Sequence, residues 1–148
     1  MFMKTYKRAF DYIVICFNQL KTQLDFRIHL TNKMTVEYIT LQPSGDKMPF
    51  IGFGCWKVDP KDAPETIYNA IKVGYRLIDS ASNYKNEVSI GKGINMAIKE
   101  GLVRREDIFV TTKLWSTYHK KEHVRLALDQ QLKQLELDYV DMFLVHCK

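Results

Sequence analysis

Three ionisable side chains recur through this chain at nearly equal intervals: Asp79, Lys113 and His146, separated by 34 and then 33 residues. Each stands at or near the end of an apolar run, respectively Arg76–Ser80, Ile108–Leu114 and Tyr139–His146. One strand, one helix and their turns occupy about 30 residues. The spacing therefore predicts three successive β-α units that each present an ionisable group at the same rim of a parallel sheet. A solenoid shares such a period but repeats its consensus residues as well, and these units do not.

The segments between fit that frame. Val36–Leu41 alternates apolar and polar, Pro43–Asp46 supplies turn residues, and Met48–Phe53 is apolar, which reads as a hairpin leading into a buried strand. Asp62 as N-cap with Glu65 three residues on starts a helix whose inward stripe is Ile67, Ala70 and Ile71, and Gly74 ends it. A second helix spans about 86–100, with Ile90, Ile94, Ala97 and Ile98 on one face and Gly101 as its cap. A third spans 121–137, with Val124, Leu128, Gln131, Leu132 and Leu135 inward. The β-branched runs ending at Leu114 and His146 read as strands covered on both faces. The order β-α-β-α-β-α-β predicts an α/β fold with right-handed crossovers.

Charge narrows the partners. The 148 residues carry a net +5, but +4 of it lies in residues 1–33, where Lys4, Lys7, Arg8, Lys21, Arg27 and Lys33 outnumber Asp11 and Asp25. The remainder is nearly neutral and has no electrostatic footprint for nucleic acid. Residues 1–33 read as an N-terminal extension, and residues 34–148 as the patterned domain. The apolar run Tyr12–Phe17 is far shorter than the roughly 20 residues that span a bilayer, so no membrane partner is expected. Cys16, Cys55 and Cys147 are odd in number and lack CxxC spacing, which points to a reducing, cytoplasmic setting and no zinc knuckle. His119 and His123 are four apart without the glutamate of a helical zinc site, so no metal is expected. Gly52-Phe-Gly54 lacks the third glycine and the helix of a Rossmann fingerprint.

Tyr84 completes the constellation, five residues after Asp79. A phenol is a weak acid, with an ordinary pKa of about 10, and a neighbouring ammonium favours its phenolate. Lys113 supplies that charge, Asp79 holds Lys113 by an ion pair, and His146 donates a hydrogen bond to a substrate oxygen. These groups suit protonation of a carbonyl oxygen while hydride arrives at carbon. No side chain donates hydride, so an organic cofactor is required.

Gly74-Tyr-Arg-Leu-Ile-Asp-Ser-Ala81, followed by Glu87, Ile90 and Gly91, resembles the aldo-keto reductase signature position by position. Gly52-Phe-Gly-Cys-Trp-Lys57, Ile67-Tyr-Asn-Ala-Ile-Lys72 and Thr112-Lys-Leu-Trp115 resemble the fungal aldose and xylose reductase branch. The resemblance runs from Met34 to His146. It implies a (β/α)8 TIM barrel, of which this chain would hold an N-terminal hairpin, about four strands and three helices. It also implies NAD(P)H-dependent reduction of an aldehyde or ketone, with Asp79, Tyr84, Lys113 and His146 as catalytic tetrad and Tyr84 as the general acid. By resemblance, Gly54, Cys55, Trp56, Lys57 and Asp79 lie along the cofactor, NADPH or NADH, and Trp56, Asn83, Trp115 and His146 along the small carbonyl substrate.

The chain departs from that branch in two places. Asn83 stands where xylose reductases carry an acidic residue, and Lys85 where glycine is usual. The match stops after His146, so most of the cofactor site is expected in a missing C-terminal half and the chain alone is expected to bind NADPH weakly and to show little or no activity. A non-catalytic fragment and an NADPH-sensing subunit of the same family are the alternative readings.

Overall fold

The computed structural model describes residues 35–146, so the readings of the N-terminal arm, Cys16 and Cys147 lie outside the described residues. Strands β1 (Tyr38–Thr40) and β2 (Lys47–Pro49) form an antiparallel hairpin that pairs Ile39 with Met48. The main sheet is parallel, in the order β3 (Phe53–Gly54), β4 (Leu77–Asp79), β5 (Phe109–Leu114) and β6 (Met142–Val145). Helices α1 (Ala63–Lys72), α2 (Glu87–Lys99) and α3 (Lys121–Leu135) form the crossovers. Each strand pairs with the next one along the chain, which is the outcome the β-α period predicts.

The core lies between sheet and helices. Ile67 and Ile71 of α1, Ile90 and Ile94 of α2 and Leu135 of α3 pack with Ile78 and Val110 of the sheet. Two glycines on α2 permit the close approach: a Cβ on Gly91 would lie 2.2 Å from the Leu135 carbonyl oxygen, and one on Gly93 would lie 2.6 Å from the Pro64 carbonyl oxygen. Helices α1 and α2 end alike. The N–H groups of Gly74 and Gly101 return to Ile71 and Ile98, and those of Tyr75 and Leu102 to Ala70 and Ala97, the double bond pattern of a Schellman cap.

Several expectations need correction. The apolar stretch Met48–Phe53 is not one buried strand: Phe50 and Ile51 are exposed between β2 and β3. The chain there stops pairing with β1 and begins pairing with β4, and the change of partner bends it outward. Asp62 occupies the N-cap of α1, but its carboxylate makes no capping bond. Its backbone is already helical, and Pro64 two residues on has no N–H to offer a cap, while the Asp59 carbonyl accepts from the N–H groups of Asp62 and Ala63. On α3 it is Ala127, with Gln131 and Leu135, that is buried, while Val124, Leu128 and Leu132 are half-buried. The helix stops at Leu135 because Glu136 turns left-handed. Strand β6 is half-exposed, with Val145 60% accessible, since among the described residues β5 is its only neighbour.

Candidate active site

The parallel register sets where the ionisable groups emerge. Gly54 pairs with Asp79, Asp79 with Thr111, and Lys113 with Leu144. Asp79 therefore ends β4 beside the end of β3, Lys113 stands one residue from the end of β5, and His146 follows the last residue of β6. After β4 the chain makes a short 3-10 turn, Ser82–Tyr84, which carries the phenol back toward β5. Ser82 Oγ donates to the carbonyl of Lys113 at 3.4 Å and ties that turn to the strand end.

Lys113 is buried and its ammonium has a partner in each direction. It donates to the Ser80 carbonyl at 2.9 Å and to Tyr84 Oη at 3.0 Å, and Asp79 Oδ1 lies 2.8 Å away. The contact with Asp79 is an ion pair off hydrogen-bond alignment, since Oδ1 has no aligned donor. An ammonium has protons and no lone pair, so the Lys113–Tyr84 bond runs in one direction only. The phenol's own proton is therefore left for another acceptor. His146 completes the wall: its imidazole stands edge-on to Tyr84, with centroids 5.9 Å apart, and to Trp115 at 5.5 Å. Its backbone N–H bonds the Leu114 carbonyl at 2.9 Å. Burial, and then the charge of Lys113, hold its pKa below the ordinary histidine value, against an opposing pull from Asp79. The ring is thus neutral at neutral pH, and its Nδ1 is buried without a hydrogen-bond partner.

The remaining candidate residues divide. Trp56 is half-exposed just beyond β3, with Lys57 Nζ 4.4 Å above its ring, and Gly54 is accessible at the end of the strand. Asn83 and Trp115 line a cleft of about 210 Å³ with Ser82, Lys85 and Gln131. Cys55 is turned away. Its thiol is fully buried, its N–H donates to Asp79, and its carbonyl accepts from the Val58 N–H and from Asn86 Nδ2. Burial also raises the thiol pKa, keeping it protonated. No helix is long and apolar enough to cross a membrane, and no His/Cys/Asp/Glu cluster could hold a metal, among the described residues.

A family model described as the aldo/keto reductase family matches residues 50–148. The chain belongs to the aldo/keto reductase family. Within it the chain falls in the fungal xylose/aldose-reductase-like branch. It is 59% identical over 113 residues to a 4-dihydromethyl-trisporate dehydrogenase of Mucor mucedo, covering 76% of this chain and 35% of that protein. It is 57% identical over 103 residues to an NAD(P)H-dependent D-xylose reductase of Candida tropicalis, covering 70% of this chain and 32% of that one. A crystal structure of a Bombyx mori aldo-keto reductase in complex with NADP superposes with a TM-score of 0.73 at 38% identity, over 77% of this chain and 39% of that one. The chain thus spans about a third of the length of the curated relatives it matches. Its parallel sheet and crossover helices are part of the (β/α)8 barrel of this aldo/keto reductase family.

Two supporting residues escaped the sequence reading. Asn86, fully within the fold, donates from Nδ2 to the carbonyls of Cys55 and Val58 at 2.9 Å each, binding the loop after β3 to the start of α2. Ser80 enters through its carbonyl, which no side-chain pattern reveals. The available signal for Asn86 was a polar residue at a predicted helix start, two positions after the tyrosine.

Proposed function

We propose that these residues perform the acid-base half of the NAD(P)H-dependent reduction of an aldehyde or ketone to an alcohol, with Tyr84 as general acid. One observation carries the reading: Lys113 donates to Tyr84 Oη and cannot accept, so the phenolic proton faces outward to a substrate. The site fits the reacting end of a nicotinamide cofactor, because a carbonyl laid against Tyr84 and the neutral His146 has both donors on its oxygen and leaves its carbon free. The reduced nicotinamide supplies the hydride that no side chain can. As negative charge grows on the substrate oxygen, the Tyr84 proton moves to it and the Lys113 ammonium stabilises the phenolate left behind. Asp79 holds the Lys113 ammonium in place across 2.8 Å, and His146 orients the carbonyl.

Gly54, Trp56 and Lys57 at the end of β3 would line the cofactor, and Trp115 and Asn83 the substrate. Cys55 has no free group for that purpose. Most of the cofactor's grip lies with residues beyond these, a reading supported by relatives of which the matched segment covers only about a third. That all four members of the tetrad stand together favours a catalytic over a non-catalytic role. Grafting residues 36–146 into the matched segment of the Mucor mucedo relative tests the proposal. The graft is expected to oxidise NADPH in a carbonyl-dependent manner, and Tyr84→Phe to lower kcat by about 10² to 10⁴. Full activity in Tyr84→Phe would overturn the assignment.

A further inference from the structure

Directly behind Lys113 lies a buried polar cluster that the reaction does not use. Glu87, the first residue of α2, is 2% exposed, and its Oε1 lies 2.6 Å from Thr112 Oγ1 on β5. The same hydroxyl lies 2.7 Å from Oε1 of Gln131 on α3, which is also buried. A threonine hydroxyl has one proton, yet both neighbours are acceptors if Glu87 is ionised. Glu87 Oε2 is buried with no partner at all. A buried anion with one oxygen orphaned is heavily penalised, whereas a neutral acid supplies the missing second proton and leaves Oε2 as an uncharged carbonyl oxygen, which costs far less.

We propose that Glu87 is held as the neutral acid and is a positioning residue for Lys113: its proton goes to Thr112 Oγ1, Thr112 donates to Gln131, and this directed chain ties α2, β5 and α3 together at the residue before the lysine. Turning the Gln131 amide over would let its Nε2 donate to Thr112 and Thr112 to a carboxylate, but Oε2 would remain a partnerless anionic oxygen. Burial supports the neutral form, raising Glu87 to about 7 against the opposing bond from Thr112 and the charge of Lys113. The titratable groups that face it are Lys113 of β5, which is itself paired with Asp79 of β4, and the protonated Cys55 thiol after β3. Helix α3 presents only the neutral Gln131. Ionisation of Glu87 breaks the chain and places a negative charge behind Lys113, opposing the stabilisation of a phenolate at Tyr84.

Carboxyl titration of the full chain, labelled with 13C at the glutamate side chains, tests this without any assay of activity. One resonance, absent from Glu87→Gln, is expected to titrate near pH 7; a midpoint near the ordinary 4.5 would overturn the proposal. The folded state keeps a proton that the unfolded chain releases, so wild-type Tm is expected to fall as pH rises from about 4.5 to about 7 and to level beyond. Glu87→Gln, which keeps a donor for Thr112, is expected to lack that fall, and parallel curves for the two proteins would count against the proposal. The positioning role rests on the reductase reading, and the active graft reads it. There Glu87→Gln is expected to remove a loss of kcat/KM centred near pH 7, while an unchanged pH profile would refute the positioning role. An inactive graft would fail the reductase reading and leave the carboxyl titration to decide the protonation.

Discussion

At the scale of the residue, the site depends on directionality. Lys113 and Asp79 are buried as a pair, and removing one partner leaves an uncompensated charge, whereas removing both leaves a smaller defect. Lys113→Met alone is therefore expected to destabilise the fold by about 3–5 kcal/mol. Adding Asp79→Asn is expected to recover part of that loss, as urea denaturation of the two variants would show; strictly additive losses would mean that the pair is not coupled. The identities of these residues were legible in the sequence because their spacing matches the β-α period. Which proton goes where was not, since it depends on the Ser80 carbonyl and on side-chain geometry. The odd lysine after Tyr84 is explained in the same way. Lys85 has φ of 58°, the left-handed region in which glycine is favoured, so the branch's usual glycine answers a backbone need and this chain meets it with a lysine.

At the scale of the element, helix packing rather than helix propensity holds the rim in register. Gly91 lets the backbone of α3 approach α2 closely enough for Gln131 and Glu87 to reach Thr112 from opposite sides. Gly91→Ala removes a residue that weakens an isolated helix, yet it is expected to destabilise this protein by about 3 kcal/mol, because its methyl group would meet backbone and not a movable side chain. Thermal unfolding would check the sign, and a stabilised variant would contradict the packing argument. Helix positions and both glycine caps were readable from periodicity and punctuation. The break at Phe50 and Ile51 was not, because an apolar run does not reveal a change of pairing partner. The absence of a cap at Asp62 was missed for a local reason: its backbone is already helical, and Pro64, two residues on, has no N–H for its carboxylate to accept from.

At the scale of the whole molecule, the described sheet has two open sides. Strands β3 and β6 each have one neighbour among the described residues, and β6 carries an exposed Val145. Unpaired strand edges of this kind recruit further strands. A polypeptide limited to residues 1–148 is expected to self-associate as its concentration rises, and Val145→Lys to shift it toward monomer in sedimentation velocity; identical profiles would show that this edge is not the contact. Fold class was legible at this scale from the order of elements, and β6 was misjudged because burial of a strand depends on neighbours that its own sequence does not describe.

The strand order also fixes how local the site is in the sequence. Because β3, β4, β5 and β6 pair strictly in chain order, no pairing among the described strands spans a distant stretch of sequence, and these contacts have short loops to close. Asp79, Ser80, Tyr84 and Lys113 all fall within one stretch of 35 residues. The ammonium thus finds its carbonyl, its carboxylate and its phenol within that one stretch. Only His146 comes from a later strand, so the acid and the group that tunes it belong to one contiguous segment and the carbonyl-orienting ring to the next β-α unit.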